Sequence, residues 1–165
     1  MISSHAMRLR HSGALAAIAM AATLGAIVLV SALATISLEA QSGDKYTARL
    51  GWVPTAGPAD RANVTGKGAA TAVLAGRKLT ITGSFEGLAG PATVARLHKG
   101  IAKGARGNPI ADLTITKAAS GMISGSVDLM PDQIEALKQG KLYVQVHSAK
   151  GVAPDGSNLW GWLLK

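Results

Sequence analysis

The run LYVQVHS at positions 142–148 constrains the fold of this 165-residue chain more than any other segment. Leu142, Val144 and Val146 recur with a period of two, which places their side chains on one face of a β-strand. The tyrosine, glutamine and histidine between them share the opposite face. We therefore expect a buried strand here, and we expect upstream segments to pair with it.

The amino-acid composition favours an all-β domain. The chain contains 20 Gly but only three Trp, two Tyr and one Phe, a balance typical of many short strands joined by turns. It contains no Cys, which excludes disulfides, thiolate metal sites and a cysteine nucleophile. The stability of the domain must therefore come from its core.

The N-terminal region has the outline of an export signal. Two arginines precede an uncharged apolar stretch at residues 14–38, which begins at Ala14 and ends at Leu38. Its 25 residues exceed the roughly 20 needed to span a bilayer. Two hypotheses stay open: a signal peptide cleaved after Ala40, and an uncleaved N-terminal helix that anchors the chain in the membrane.

Both hypotheses predict the same domain organisation. Residues 1–40 are the signal peptide or signal anchor, and residues 41–165 are one folded domain. Because the positively charged end stays in the cytoplasm, we expect the domain to be extracytoplasmic. It is then periplasmic, on the cell surface or secreted, and it is held in the inner membrane if the helix is retained.

The chain is basic, with a formal net charge of +8. Its Lys and Arg residues are scattered along the sequence, which is typical of a solvated surface. The densest basic segment, residues 96–106, lacks the aromatic side chains on which single-stranded nucleic acid would stack. We therefore predict no nucleic-acid partner.

Alternating residues, turn residues and one helix-like segment divide the domain into short elements. Pro131 near the start, Lys138 late and Gly140 as a stop give residues 131–140 the polarity of a short helix. The other predicted elements, in order, are a strand at 46–50, a hairpin of 65–74 with 78–85, a strand at 92–98, a long loop at 100–109, a hairpin of 110–116 with 122–129, and a closing strand at 158–164.

The order of these elements resembles the CHRD domain, the chordin-type module. The segments that match are YTARL at 46–50, FEGLAGPATVARLH at 85–98, and DLMPDQIEALKQGKLYVQVHS at 128–148. The resemblance implies a Greek-key, immunoglobulin-like β-sandwich with one short helix. Such modules occur in secreted bacterial proteins and in chordin, an extracellular binder of growth factors. The resemblance implies no enzymatic activity.

The chain departs from the family pattern at positions where polar residues are common. A His-x-His-Gly segment of the family is here RLHK at 96–99, so only His98 remains of the two histidines. The family ending Gly-Glu-Ile-Arg-Gly is here SNLWG at 157–161, which lacks the Glu and the Arg. These losses limit what can be transferred from the family.

His98 and His147 are the candidate metal ligands, since imidazoles on two adjacent strands could converge on copper or zinc. A metal-binding or superoxide-handling β-sandwich protein is therefore the alternative function. Against it, a stable site needs three or four ligands, and Arg96 and Lys99 beside His98 would repel a cation. We expect no metal and no cofactor.

Trp160 and Trp162 are the candidate ligand-binding residues. They lie two positions apart on the last strand, so both project from the face opposite Leu159 and Leu163. If the leucine face is the core, the indoles can contact a ligand, a glycan or a membrane. A small sandwich needs large core side chains, however, and this favours placing the indoles in the core.

The sequence shows no catalytic constellation. His147 and Ser148 are adjacent on a strand and point to opposite faces, so they cannot form a base and nucleophile pair. We predict a non-enzymatic, extracytoplasmic binding or structural module of the cell envelope. Its predicted partner is an unidentified macromolecule of the envelope or of the extracellular space.

Overall fold

A computed structural model describes residues 43–165, which contain eight β-strands and two short helices. The strands are β1 Asp44–Trp52, β2 Lys67–Ala75, β3 Lys78–Glu86, β4 Ala92–Ala102, β5 Ala105–Ile115, β6 Gly121–Asp128, β7 Leu142–Val152 and β8 Ser157–Trp162. The helices are α1 Pro58–Asn63 and α2 Pro131–Lys138. All strand pairs are antiparallel, and the strands form a closed barrel in the order β1-β2-β3-β6-β5-β4-β7-β8.

The prediction of an all-β domain is confirmed, but the prediction of an immunoglobulin-like β-sandwich is wrong. β1 pairs with β2 on one side and, through Gly51 and Trp52, with β8 on the other. β5 pairs with β4 and, through Thr114 and Ile115, with β6. The sheet therefore closes on itself, so no β-strand of residues 43–165 is left at a sheet edge. Alternating strands suit a sandwich and a barrel equally, so the sequence pattern does not distinguish them.

Alternation along the strands separates the barrel interior from its outside. On β1, Tyr46, Ala48 and Leu50 are buried, and the residues between them are exposed. On β7, every residue at positions 142–148 is buried, which confirms the predicted buried strand. Its inward side chains belong to the core, and its outward side chains are therefore covered on the outside of the barrel.

The β2–β3 hairpin is confirmed, whereas the predicted loop at 100–109 is wrong. Those residues extend β4 and β5 into a hairpin, in which Gly100 pairs with Gly107. Gly104 has a φ of +84° in the turn, a conformation that favours glycine. The glycines and a proline of this segment conceal its strand pattern, because both residues are ordinarily signs of a loop.

The predicted pairing of β5 with β6 exists, but only over two residue pairs, Thr114 with Ser124 and Ile115 with Ile123. β6 instead pairs along its length with β3, and β5 pairs mainly with β4. This short contact between β5 and β6 completes the barrel on the side opposite the β1–β8 contact.

Helix α2 confirms the predicted short helix. The side chain of Gln133 accepts a hydrogen bond from the backbone N–H of Met130 (2.9 Å), and Gly140 follows the helix with a φ of +67°. Leu137 is fully buried in the barrel core. The helix joins β6 to β7, which are separated in the barrel by β5 and β4, so it crosses one end of the barrel rather than packing on a sandwich edge.

The antiparallel order defines the two ends of the barrel. The start of β1, the β2–β3 turn, the β4–β5 turn and α2 lie at one end, which we call the α2 end. Helix α1, the start of β6 and the β7–β8 connection lie at the opposite end, which we call the α1 end.

No helix within residues 43–165 is long and apolar enough to cross a membrane. The predicted export or anchor helix at 14–38 and the predicted cleavage after Ala40 lie outside the described residues.

Candidate ligand-binding face

The candidate site lies on the outside of the barrel, across β4, β7 and β8. The register places His98, Tyr143 and Trp162 side by side in one row, because His98 pairs with Tyr143 and Tyr143 pairs with Trp162. In the adjacent row, Gln145 pairs with Trp160. Three strands therefore bring four aromatic rings, counting the imidazole, to one outer surface.

The structure places both candidate indoles on this outer surface. Leu159 and Leu163 are fully buried in the core, whereas Trp160 and Trp162 are half-buried outside it. The expectation that the indoles belong to the core is therefore not met. Each indole is covered on one side by neighbouring rings and remains partly open to solvent.

Tyr143 is the centre of the aromatic cluster. Its ring centroid lies 4.8 Å from that of His98 in a stacked arrangement and 4.5 Å from that of Trp162. It also meets Trp160 edge to face at 5.8 Å, and the two indoles meet each other at 5.7 Å. These are favourable aromatic geometries, and they fix the two indoles relative to each other.

A glycine provides the space for Trp162. A Cβ added to Gly100 would lie 2.6 Å from Cη2 of Trp162 and 2.5 Å from the carbonyl oxygen of Ala105. Because real Cβ atoms do not approach other atoms so closely, only glycine lets the indole and the backbone of the β4–β5 hairpin lie together at this point.

Arg106 of β5 contributes a cation to the same surface. Its guanidinium carbon lies 5.8 Å from the ring centroid of Trp160, within the range of a cation–π interaction. We refer to His98, Arg106, Tyr143, Trp160 and Trp162 together as the indole face. This face combines two half-buried indoles, the buried rings of His98 and Tyr143, and an exposed positive charge.

His98 is a buried member of the indole face. Its Nδ1 lies 3.1 Å from the carbonyl oxygen of Gly107, to which it donates, so its proton-free Nε2 is buried without a hydrogen-bond partner. Burial lowers the pKa of His98 from its ordinary 6.5, and charges on His147, Arg96 and Arg106 lower it further against the opposing effect of the Gly107 carbonyl. His98 is therefore held neutral.

The second candidate histidine lies further along β7. His147 pairs with Val94, whereas His98 pairs with Tyr143, so the two histidines are four positions apart in register. Nδ1 of His147 lies 3.0 Å from the carbonyl oxygen of Asp155, and its Nε2 is also buried without a partner.

A polar network fastens the β7–β8 connection next to these histidines. The Gln145 amide donates to the Ser157 hydroxyl (2.6 Å), which donates to the Asp155 carboxylate (2.7 Å). Partial burial opposes ionisation of Asp155, but the Ser157 hydroxyl and amide hydrogen bonds hold the pKa of its carboxyl below the ordinary value. Asn158 is fully buried and donates to Ser148 Oγ at 2.8 Å. The network holds β8, and with it the indoles, against β7.

The described residues do not assemble a metal centre. They contain no group of three or more His, Asp or Glu side chains that could hold a metal ion. The two cations expected to repel a metal are themselves paired, Arg96 with Asp112 at 2.8 Å and Lys99 with Asp132 at 2.5 Å. Arg106, which is in no ion pair within residues 43–165, contributes a positive charge that helps to lower the pKa of His98, and the carboxylate of Asp155 lies 3.9 Å from Nδ1 of His147.

Sequence reasoning identified Trp160, Trp162 and His98 but missed Gly100 and Arg106. Both missed residues lie in the β4–β5 hairpin, which the sequence pattern presents as a loop. The pairing of Gly100 with Gly107 is visible only in the structure, since glycines in the sequence are ordinarily signs of a loop.

A closed barrel with aromatic rings on its outer surface fits a class of binding or structural modules. The family model of the CHRD domain matches residues 53–156, which is more than half of the chain. The chain therefore belongs to the CHRD family, a non-catalytic domain family, and the resemblance seen in the sequence is confirmed. No curated protein and no solved structure matches the chain significantly.

The match to the family ends just before β8 begins at Ser157. His98, Arg106 and Tyr143 lie within the matched residues, whereas both indoles lie beyond them. The family match therefore does not describe the positions of the indoles.

Proposed function

We propose that this protein is an exported, non-enzymatic binding module of the cell envelope that holds an envelope polysaccharide through its indole face. Membership of the CHRD family supports a binding or structural role. The charged N-terminus and the apolar stretch at 14–38 support export and an extracytoplasmic location, whether the stretch is cleaved or remains as an anchor.

The observation on which the proposal rests is the half-buried pair Trp160 and Trp162. Both indoles lie outside the core, and Tyr143 holds them in place through contacts at 5.8 and 4.5 Å. A fixed aromatic surface that is left partly open to solvent is typical of a binding site.

Chemistry favours a carbohydrate polymer as the ligand. Aromatic rings present an apolar face to the C–H groups of a sugar ring, while their polar edges remain hydrated. Arg106, exposed over Trp160, adds a donor for hydroxyl, carboxylate or phosphate oxygens of an envelope polymer. The basic net charge of the chain would strengthen binding to an anionic polymer at low salt.

Retention on purified cell-wall material tests the proposal. The protein should be retained at moderate salt, and Trp160→Ala should weaken the apparent affinity at least about tenfold, since truncating a central aromatic anchor costs about 2 kcal/mol. Trp52→Ala is the matched control, because Trp52 is an exposed indole at the α1 end of the barrel. Absence of retention, or equal retention of the two variants, would overturn the proposal.

A further inference from the structure

The α2 end of the barrel differs from the α1 end in its charge. Three ion pairs within residues 43–165 lie at the α2 end: Lys165 with Asp44, Lys99 with Asp132, and Lys138 with Glu135. The cations that remain outside any ion pair at this end are Lys45, Arg77, Lys78, Lys103, Arg106 and Lys141.

Only one carboxylate at the α2 end, that of Asp128, is outside an ion pair among the residues that the structure describes. At the α1 end the surplus of cations is smaller, since the cations Arg49, Arg61, Lys117 and Lys150 accompany the carboxylates of Asp60 and of Asp155, which lies 3.9 Å from His147. The excess of cations over carboxylates outside ion pairs is therefore larger at the α2 end.

Two large apolar side chains project from the same end. Ile101 beside the β4–β5 turn is 80% exposed, and Met130 at the start of α2 is 59% exposed. Exposed apolar side chains occur at the α1 end as well, namely Trp52 and Met122. The combination of apolar side chains with a surplus of unpaired cations is therefore what distinguishes the α2 end.

The covalent chain also connects this end to the apolar N-terminal stretch. β1 begins at Asp44 at the α2 end, and Leu38, the last residue of the stretch, is six positions earlier. Six residues span at most about 20 Å when fully extended. A bilayer that holds the stretch would therefore lie within reach of the α2 end.

We propose that the α2 end of the barrel docks on an anionic phospholipid bilayer, with Ile101 and Met130 entering the interface and the unpaired cations contacting lipid phosphates. A basic surface with a few apolar side chains is the combination that binds anionic membranes. This inference rests on the export and anchoring part of the proposed function and is independent of the ligand of the indole face.

The absence of cysteine allows a direct test on the full chain. Single-cysteine variants Ile101→Cys and Met122→Cys, each carrying an environment-sensitive fluorophore, are reconstituted with vesicles of neutral phosphatidylcholine or of phosphatidylcholine containing anionic phosphatidylglycerol. We expect the label at position 101 to shift to shorter wavelength and to be quenched by spin-labelled lipid only with anionic vesicles. The label at position 122, at the α1 end, should not respond. Equal responses at the two positions would overturn the inference.

Charge variants separate docking from anchoring. The double variant Lys45→Glu, Lys103→Glu should weaken the apparent affinity for anionic vesicles, read from the label at position 101, at least about tenfold. Each lysine near an anionic surface contributes about fivefold to that affinity. Arg61→Glu with Lys150→Glu makes the same charge change at the α1 end and should leave the response intact. If both double variants weaken the response equally, net charge alone explains the binding, and docking through the α2 end is overturned.

The two proposals fail in distinguishable ways. Flotation of the full chain with vesicles measures anchoring. If the chain floats with neutral vesicles but the emission of the label at position 101 does not change with anionic lipid, anchoring is supported and docking is overturned. If the chain floats only with anionic vesicles and the label at 101 responds, docking stands without a retained anchor.

Discussion

Trp162 lies directly over Gly100, the glycine of β4 at which a side chain would collide with the indole. The contact joins β8 to the β4–β5 hairpin, two elements that are far apart in the sequence and that meet only through β7 in the sheet. It explains how a half-buried tryptophan can have a fixed position on the outside of a barrel. The indole is packed against backbone on one side and against Tyr143 on another.

Replacing Gly100 should disturb the indole face and the fold together. A Cβ at Gly100 meets both the indole and the backbone of Ala105, so we expect Gly100→Ala to destabilise the barrel by about 1–3 kcal/mol and to alter the near-ultraviolet circular dichroism of the paired indoles. Gly83→Ala on β3 is the matched control, because its Cβ would lie 2.5 Å from the carbonyl oxygen of Ala69 on β2, away from the indoles. If both variants change the indole signal equally, Gly100 has no special relation to Trp162.

The depressed pKa of His98 predicts a pH-dependent stability. The unfolded chain binds a proton at His98 near pH 6.5, whereas the folded protein resists protonation because His98 is buried. The unfolded state therefore holds more protons below that pH, so stability should be full above pH 6.5 and fall as the pH decreases below it. Asp155, whose pKa lies below its ordinary 3.8, acts only at lower pH.

Denaturant unfolding of the wild type and of His98→Gln, measured at pH 7 and pH 5, checks this expectation. Glutamine does not titrate, so the variant should lose less stability between the two pH values, whatever its absolute stability. An equal loss in both proteins would assign the pH dependence to other groups.

Ser157 is expected to be the most sensitive hydroxyl of the β7–β8 connection. It is fully buried, accepts from Gln145 and donates to Asp155, so Ser157→Ala leaves buried polar groups without partners and should cost about 1–3 kcal/mol of unfolding free energy. Ser126→Ala, on the exposed side of β6, should change stability by less than about 0.5 kcal/mol. If Ser157→Ala leaves the free energy of unfolding unchanged, the network does not hold β8.

Calorimetric titration with Cu(II) and Zn(II) addresses the alternative function. His98 and His147 offer two imidazoles four positions apart in register, without a third ligand in the described part of the chain and with the Arg106 charge nearby. We therefore expect no stoichiometric binding tighter than about micromolar. Stoichiometric binding that is lost in both His98→Ala and His147→Ala would make metal handling the working function.

The sequence predicted local elements better than their arrangement. Helix α2 could be predicted because proline, lysine and glycine mark its ends, and the strand at 142–148 because its alternation is regular. Closure of the barrel depends on the β1–β8 contact through Gly51 and Trp52, which are distant in sequence from their partners. No local pattern records such a contact, so the family resemblance directed the interpretation toward a sandwich.

The same difference applies to the indole face. The spacing of Trp160 and Trp162 placed both on one side of a strand, but it did not reveal which side is the core. That depended on Leu159 and Leu163 filling the barrel interior. Arg106 and Gly100 reach the indoles only through the β4–β5 hairpin, whose glycines and proline mask it in the sequence.

The central claim, that the indole face holds an envelope polysaccharide, is tested most directly by tryptophan emission. The chain contains three tryptophans, so in Trp52→Phe all emission comes from Trp160 and Trp162. Titration of this variant with soluble wall polysaccharide should give a saturable change in emission, and Arg106→Ala should weaken the apparent affinity. An unchanged emission at polysaccharide concentrations that retain the protein would contradict the claim, because the polymer would then be bound elsewhere on the molecule.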